Sequence, residues 1–132
     1  MTVKHLDHLN MTVKDFEQTA DWYRRVFGFE VVEKGMYKGA RWGIIRSGEA
    51  MLCIYEHREL ATDISETTHH INHFGLRITD RTAWEEVLER EAVPVLYGGP
   101  VRWPHSTAWY VHDPTGYEIE VALWDNDSIA FN

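Results

Sequence analysis

The segment "HHINHFGLRITD" (residues 69–80) carries His69, His70 and His73 within five residues. Imidazole is a common ligand for divalent metals, so the cluster raises the question of a metal site. Two histidines four apart on a helix share a face and can hold zinc together, which would pair His69 with His73. The surrounding pattern points elsewhere. Phe74, Leu76 and Ile78 alternate with His73, Gly75 and Arg77, and that period of two belongs to a strand. The pair therefore has no helical face to share, and His69 and His70 fall on the exposed approach to the strand. His5, His57 and His105 read as solvated or loop residues.

A second copy of the segment lies upstream. "LDHLNMTVKD" (residues 6–15) and "INHFGLRITD" (residues 71–80) both read apolar, Asp or Asn, His, then an alternating run ending in Asp. His8 aligns with His73, and Asp15 with Asp80. In the first copy Leu9, Met11 and Val13 oppose His8, Asn10 and Thr12. A helix is expected after each. "DFEQTADWYRRVFG" starts at Asp15 as N-cap, with Gln18 placed for a capping box and Gly28 as the stop. Phe16, Ala20, Tyr23 and Phe27 form its apolar stripe. "DRTAWEEVLERE" starts at Asp80, with Trp84, Val87 and Leu88 facing inward.

Three strand-like runs follow each helix: "FEVVEKG", "RWGIIRSG" and "AMLCIYEH", then "VPVLYGG", "TAWYVHD" and "YEIEVALW". "SGEA" and "DPTGY" read as hairpin loops. The expected fold is α+β, with tandem βαβββ modules over about residues 4–58 and 69–125 in a single domain. A polar linker over about residues 59–68 is expected to hold a short helical turn. Two like halves related by a pseudo-twofold would form a curved mixed sheet around a central cleft, helices outside, with equivalent residues converging on the cleft.

Bulk properties narrow the partners. At 132 residues and a formal charge of −8, the chain argues against a nucleic-acid surface and against docking on anionic membrane. The single cysteine, Cys53, allows no intrachain disulfide and no cysteine-built zinc site. Neither a signal core nor a membrane-length apolar run is present, so the default expectation is a soluble cytoplasmic protein.

The double βαβββ pattern, with "LDHLNMTVKDFEQTADWYRRVFGFEV", "INHFGLRI" and "YVHDPTGYEIEV", resembles the vicinal oxygen chelate superfamily. That superfamily includes glyoxalase I, bleomycin-resistance proteins, fosfomycin-resistance enzymes and extradiol dioxygenases. The resemblance runs from about residue 4 to 124, and the last motif is similar to the family's DP-x-G-x-x-x-E signature. It implies a metal held by His8, His73 and Glu120. Strand parity agrees for Glu120: Ile119, Val121 and Leu123 share one face of the last strand, while Glu118, Glu120, Ala122 and Trp124 share the other. Two imidazoles and a carboxylate suit Fe(II), Mn(II), Zn(II), Ni(II) or Co(II).

A fourth ligand, as in glyoxalase I, would fall on "AMLCIYEH". With Leu52 and Ile54 packed toward the helix, Cys53 takes that position between Met51 and Tyr55; a one-residue slip would bring Glu56 there instead. The three-ligand pattern more resembles the fosfomycin-resistance enzymes and the dioxygenases. Yet Asn10 stands where the fosfomycin group carries a phosphonate-contacting Thr, and the tail "WDNDSIAFN" lacks that group's late Arg. The resemblance further implies Glu120 as base as well as ligand, and Tyr110 as the tyrosine beside the metal in dioxygenase-like members, with His112 on the same strand face. Substrate contacts are expected from Asn10, Trp42, Cys53, Tyr55, Arg77 and Trp124; Arg41 and Arg102 are further candidates for a carboxylate. Of Trp42, Trp103, Trp109 and Trp124, most should be core, with one or two lining an apolar cleft suited to an aromatic or lipophilic ligand.

The reading is a metal-dependent enzyme acting on a small oxygen-chelating substrate. A glyoxalase-like lyase or isomerase stands first, then an extradiol-type dioxygenase or a fosfomycin-type thiol transferase. The rival from another class is a non-catalytic drug- or aromatic-binding protein. A homodimer is expected, with His8 and His73 meeting either within one chain or between two.

Overall fold

The computed structural model describes residues 1–61 and 69–131. Most of the expected linker, including any helical turn in it, lies outside these residues. The chain divides into two compact units, Met1–Asp63 and Ile64–Asn132. Each holds one helix and one four-stranded mixed sheet, so the α+β class and the tandem modules are realised as two separately hydrogen-bonded sheets.

The first unit runs β1 (Leu9–Val13), α1 (Phe16–Phe27), β2 (Glu30–Tyr37), β3 (Ala40–Ser47) and β4 (Ala50–Glu56). Its strand order is β1-β4-β3-β2, with β1 parallel to β4 and the rest antiparallel. Alternation sorts the strands as expected. Met11, Val13, Ile45, Leu52 and Ile54 are buried, while Asn10, Trp42, Cys53 and Tyr55 lie on the other face.

Asp15 caps α1, its Oδ1 accepting from Gln18 N at 2.8 Å. Gly28 ends the helix at φ 69°, a left-handed conformation that costs glycine nothing, and its N–H reaches the Arg24 carbonyl. Phe16, Ala20 and Tyr23 face the core as expected, but Val26 is buried where the stripe predicted Phe27, which is half-buried. The chain leaving Gly28 brings Phe29 back to 2% exposure, edge-on to Tyr23 at 5.6 Å, so Phe29 supplies the aromatic contact at that end.

Gly43 is the closest approach of helix and sheet. A Cβ there would meet the Glu33 carbonyl and the Phe16 ring, both at 2.7 Å, so only glycine lets α1 sit this near β3.

The second unit runs β5 (Phe74–Ile78), α2 (Arg81–Arg90), β6 (Val101–Trp103), β7 (Ser106–His112) and β8 (Glu118–Trp124), with order β5-β8-β7-β6. Asp80 caps α2 as Asp15 caps α1, accepting from Ala83 N at 3.0 Å. Trp84 is the buried residue of α2, and the Arg81 guanidinium lies 5.4 Å above the Trp109 ring.

One expected strand is not there. "VPVLYGG" (residues 93–99) forms no strand, and the third strand of this module is instead the short β6. Pro94 has no N–H to offer a ladder, and Ala92, Tyr97, Gly98 and Gly99 all take positive φ, which turns the chain. Leu96 makes one backbone bond to the sheet, its N–H donating to the Tyr110 carbonyl at 2.8 Å. The "DPTGY" loop forms as expected, because Asp113 Oδ1 accepts from the N–H groups of Thr115, Gly116 and Tyr117 at 2.9–3.0 Å.

Candidate functional site

The parallel pairing of β5 with β8 sets the centre of the second unit. Gly75 opposes Glu120, and Tyr110 opposes Glu120 from the other side, so all three share one sheet face. His73, two residues before Gly75, projects on that face. Its Nε2 lies 3.0 Å from Glu120 Oε2, and its ring meets Tyr110 edge-on at 5.9 Å. Sequence positions 47 apart are thus joined.

The other ring nitrogen is also held. His73 Nδ1 lies 2.7 Å from Asn72 Oδ1 and 3.7 Å from Glu118 Oε2. Nδ1 donates to the Asn72 oxygen in one tautomer, and with the amide turned over it accepts from Asn72 in the other. Nε2 faces the Glu120 carboxylate across 3.0 Å. With its proton on Nε2 the ring donates to Glu120 in an ordinary hydrogen bond; with the proton on Nδ1, Nε2 and the carboxylate both face a point where a cation could sit. Ligands 2.1 Å from one ion at right angles stand about 3 Å apart, so this spacing fits a shared metal.

The first repeat shows the same device. His8 Nδ1 lies 2.8 Å from Asp7 Oδ2, which leaves Nε2 free to face outward. The "Asp or Asn, then His" pattern therefore has a physical meaning in both units: the preceding side chain meets Nδ1 and orients the ring. The signal in the sequence is the Asp or Asn directly before each histidine, Asp7 and Asn72. His8 belongs to the first unit; His73 and Glu120 belong to the second. Among the described residues, neither unit by itself gathers three His, Cys, Asp or Glu side chains into a metal-ready group. A complete ligand set would need more than the His73–Glu120 pair.

Tyr110 is buried, and burial raises its phenol above the usual range, the Glu120 charge adding to the effect while a hydrogen bond with Trp103 works against it. The phenol stays an O–H donor at neutral pH. Tyr97, expected in a strand, turns its ring edge-on to Tyr110 at 5.3 Å and donates to Glu118 Oε1, a bond that raises the Tyr97 phenol too. No local pattern marked Tyr97, since its placement depends on the turn at Gly98 and Gly99. His112 is exposed opposite Glu118.

The expected substrate contacts divide between the units. Asn10, Trp42, Cys53 and Tyr55 gather on the open face of the first sheet: Asn10 pairs with Cys53, and Trp42 with Tyr55. Trp42 and Tyr55 stack at 5.9 Å and 18°, and Tyr37 meets Tyr55 edge-on at 5.8 Å. Burial first, then the charge of Glu33, raises the Cys53 thiol, which keeps it from acting as a thiolate.

Glu56 lies on the opposite, buried face with Leu52 and Ile54 and is already engaged. It accepts from Phe16 N at 2.9 Å and from Arg41 Nε at 3.1 Å. Arg41 holds its carboxyl down at about 2. The unslipped register thus leaves Glu56 tying α1 to the sheet.

In the second unit Arg77 is paired with Asp127 at 2.9 Å, and Arg102 forks onto Asp125 at 2.6 Å. Trp124 is half-buried and meets Phe131 edge-on at 6.0 Å. His69 and His70 are exposed, ahead of β5.

Fold and motif together define a βαβββ-repeat protein. The sequence model of the Glyoxalase/Bleomycin resistance protein/Dioxygenase superfamily matches residues 5–121, and the chain belongs to that superfamily. Its members commonly use divalent metals. Among curated proteins, none matches the chain in sequence. Solved structures agree on the fold. A glyoxylase/bleomycin resistance protein/dioxygenase domain from Frankia sp. EAN1pec has a TM-score of 0.80 at 17% identity, covering 96% of both chains. A glyoxalase family protein from Enterococcus faecalis gives 0.79 at 16%, covering 92% of this chain and 99% of its own. A lactoylglutathione lyase from Agrobacterium tumefaciens gives 0.71 at 22%, covering 98% and 100%. No described helix is long and apolar enough to cross a membrane.

Proposed function

We propose that the chain is a metal-dependent enzyme acting on a small substrate with two neighbouring oxygens, of the glyoxalase-like lyase or isomerase kind. The observation that carries this reading is the His73 Nε2–Glu120 Oε2 separation of 3.0 Å, with Nδ1 engaged by Asn72. His73 and Glu120 would hold the ion with His8 as third ligand, each imidazole oriented from Nδ1 by the residue before it. When bound, a divalent ion supplies Lewis acidity toward a substrate oxygen.

The protein's own groups would do the rest. Glu120 is placed to take a proton from the substrate carbon beside that oxygen. Tyr110, kept protonated by burial, donates a hydrogen bond to developing negative charge at the oxygen. Gly75, opposite Glu120, leaves space over the carboxylate, since a Cβ there would meet only the Glu120 carbonyl, at 3.8 Å.

Metal analysis of protein purified without a histidine tag tests the reading. One divalent ion per site is expected after reconstitution, and Glu120→Gln should weaken it by roughly a hundredfold. Failure of any divalent ion to bind removes the enzyme reading; unchanged affinity in the variant removes Glu120 from the site. Turnover would then be sought with hemithioacetals, catechols, and fosfomycin plus thiols, and the oligomeric state, proposed to be a dimer, by light scattering.

One observation favours the second reading, a non-catalytic binder. The Trp42–Tyr55 stack with Tyr37 gives the first unit a flat aromatic face, as a site for planar molecules would have. That reading expects no metal, and ligand binding that survives loss of His8.

A further inference from the structure

A concavity of about 260 Å³ opens beside Glu120 within the second unit. Trp103, Pro104, Trp124 and Phe131 form most of its wall, and Glu120 supplies an oxygen-bearing edge. The lining is thus mostly apolar, with His105, Ser106 and Glu120 as its polar members. A cavity of about 150 Å³ already accepts benzene, so this volume holds one ring.

Phe131 makes the wall unusual. It is 84% exposed yet sits edge-on against Trp124 at 6.0 Å. A large aromatic that leaves this much surface in water has burial still to gain, and a ring placed between it and Trp103 would cover both. Trp103, itself 47% exposed, also hydrogen-bonds Tyr110, which ties the apolar wall to the polar centre.

We infer that this concavity binds the apolar substituent of the substrate, and that the substrate is an aryl-bearing compound with a ring attached next to its oxygen pair. The inference rests on the proposed function for the position of those oxygens. Phe131 and Trp103 determine specificity: they touch the substituent and leave the reacting atoms alone.

Two neutral hydroxyketones with the same oxygen pair separate the possibilities. 2-Hydroxyacetophenone carries a phenyl group where hydroxyacetone carries a methyl, and their dissociation constants are measured by ligand-observed NMR on the reconstituted protein. The wild type should prefer the phenyl compound by roughly tenfold or more. Phe131→Ala should cut that preference at least threefold without changing hydroxyacetone affinity, and Phe131→Trp should restore it. Phe131 is 84% exposed, so its truncation leaves the fold intact. Equal affinities for the two ketones, absence of binding by either, or a preference that survives Phe131→Ala overturns the inference. Metal content of the same samples is read separately: retained metal with lost preference refutes the aryl pocket alone, whereas absent metal with retained preference refutes the enzyme reading alone.

Discussion

Glu56→Gln offers the sharpest physical test of how the first unit is held together. The carboxylate is 7% exposed at the end of β4 and joins three elements: Phe16 N at the start of α1, Arg41 on β3 and Arg58 beyond β4. Its carboxyl is held at about 2 against an ordinary 4.5, chiefly by the hydrogen bond from Arg41. That gap is worth about 3 kcal/mol, and solvent around the partly exposed Arg41 reduces it to roughly 2. The group's folded-state value lies below its unfolded one, so the unfolded chain takes up the proton first as pH falls. The stabilisation is complete above about pH 4.5 and is lost as pH drops toward 2. Glutamine keeps an oxygen for Phe16 N but gives up the charge opposite Arg41. Urea unfolding of wild type and variant should therefore differ by about 2 kcal/mol at pH 7 and by about 1 kcal/mol at pH 3. A difference that stays constant over that range would refute the electrostatic account, and no difference at pH 7 would refute the structural role.

Two further expectations follow from close contacts. Gly43→Ala should lower stability by about 2 kcal/mol in thermal unfolding, because its Cβ would need the Phe16 ring and the Glu33 backbone to move apart; an unchanged melting temperature would mean that α1 does not sit this close. Asn72→Ala should weaken divalent-ion affinity by roughly tenfold while leaving unfolding by urea almost unchanged, since it frees Nδ1 of His73 without touching Nε2. Calorimetric titration of the metal checks this, and equal affinity would deny Asn72 an orienting role.

Much of the fold was legible because its signals are local. Asp15, Asp80 and Gly28 mark helix ends through groups within a few residues. The period-two alternation of "YEIEVALW" sorted Ile119 and Val121 from Glu120 before any partner strand was known. The same parity put an acid, Glu56, on the helix-facing side with Leu52 and Ile54, a position where a buried charge requires a partner. The partner, Arg41, is 15 residues away and becomes apparent only once β3 and β4 are in register. "VPVLYGG" misled because its apolar residues imitate a strand, whereas the dihedral angles of Tyr97, Gly98 and Gly99 depend on what the turn packs against. The pairing of His73 with Glu120 was reachable through the repeat and the family motif, but the orienting contact from Asn72 needed coordinates.

Each unit is also closed by its own first and last strands. β5 pairs with β8 across a helix and two intervening strands of sequence, and β1 pairs with β4 in the same way. A parallel pair of such wide sequence separation pays its loop-closure entropy early and is rewarded late, so it forms slowly. His73 and Glu120 therefore depend on that pairing, and a chain cut short before β8 has no such pair. A ligand held by both side chains would bind only the finished sheet, and would hold it closed by RT ln(1 + [L]/Kd).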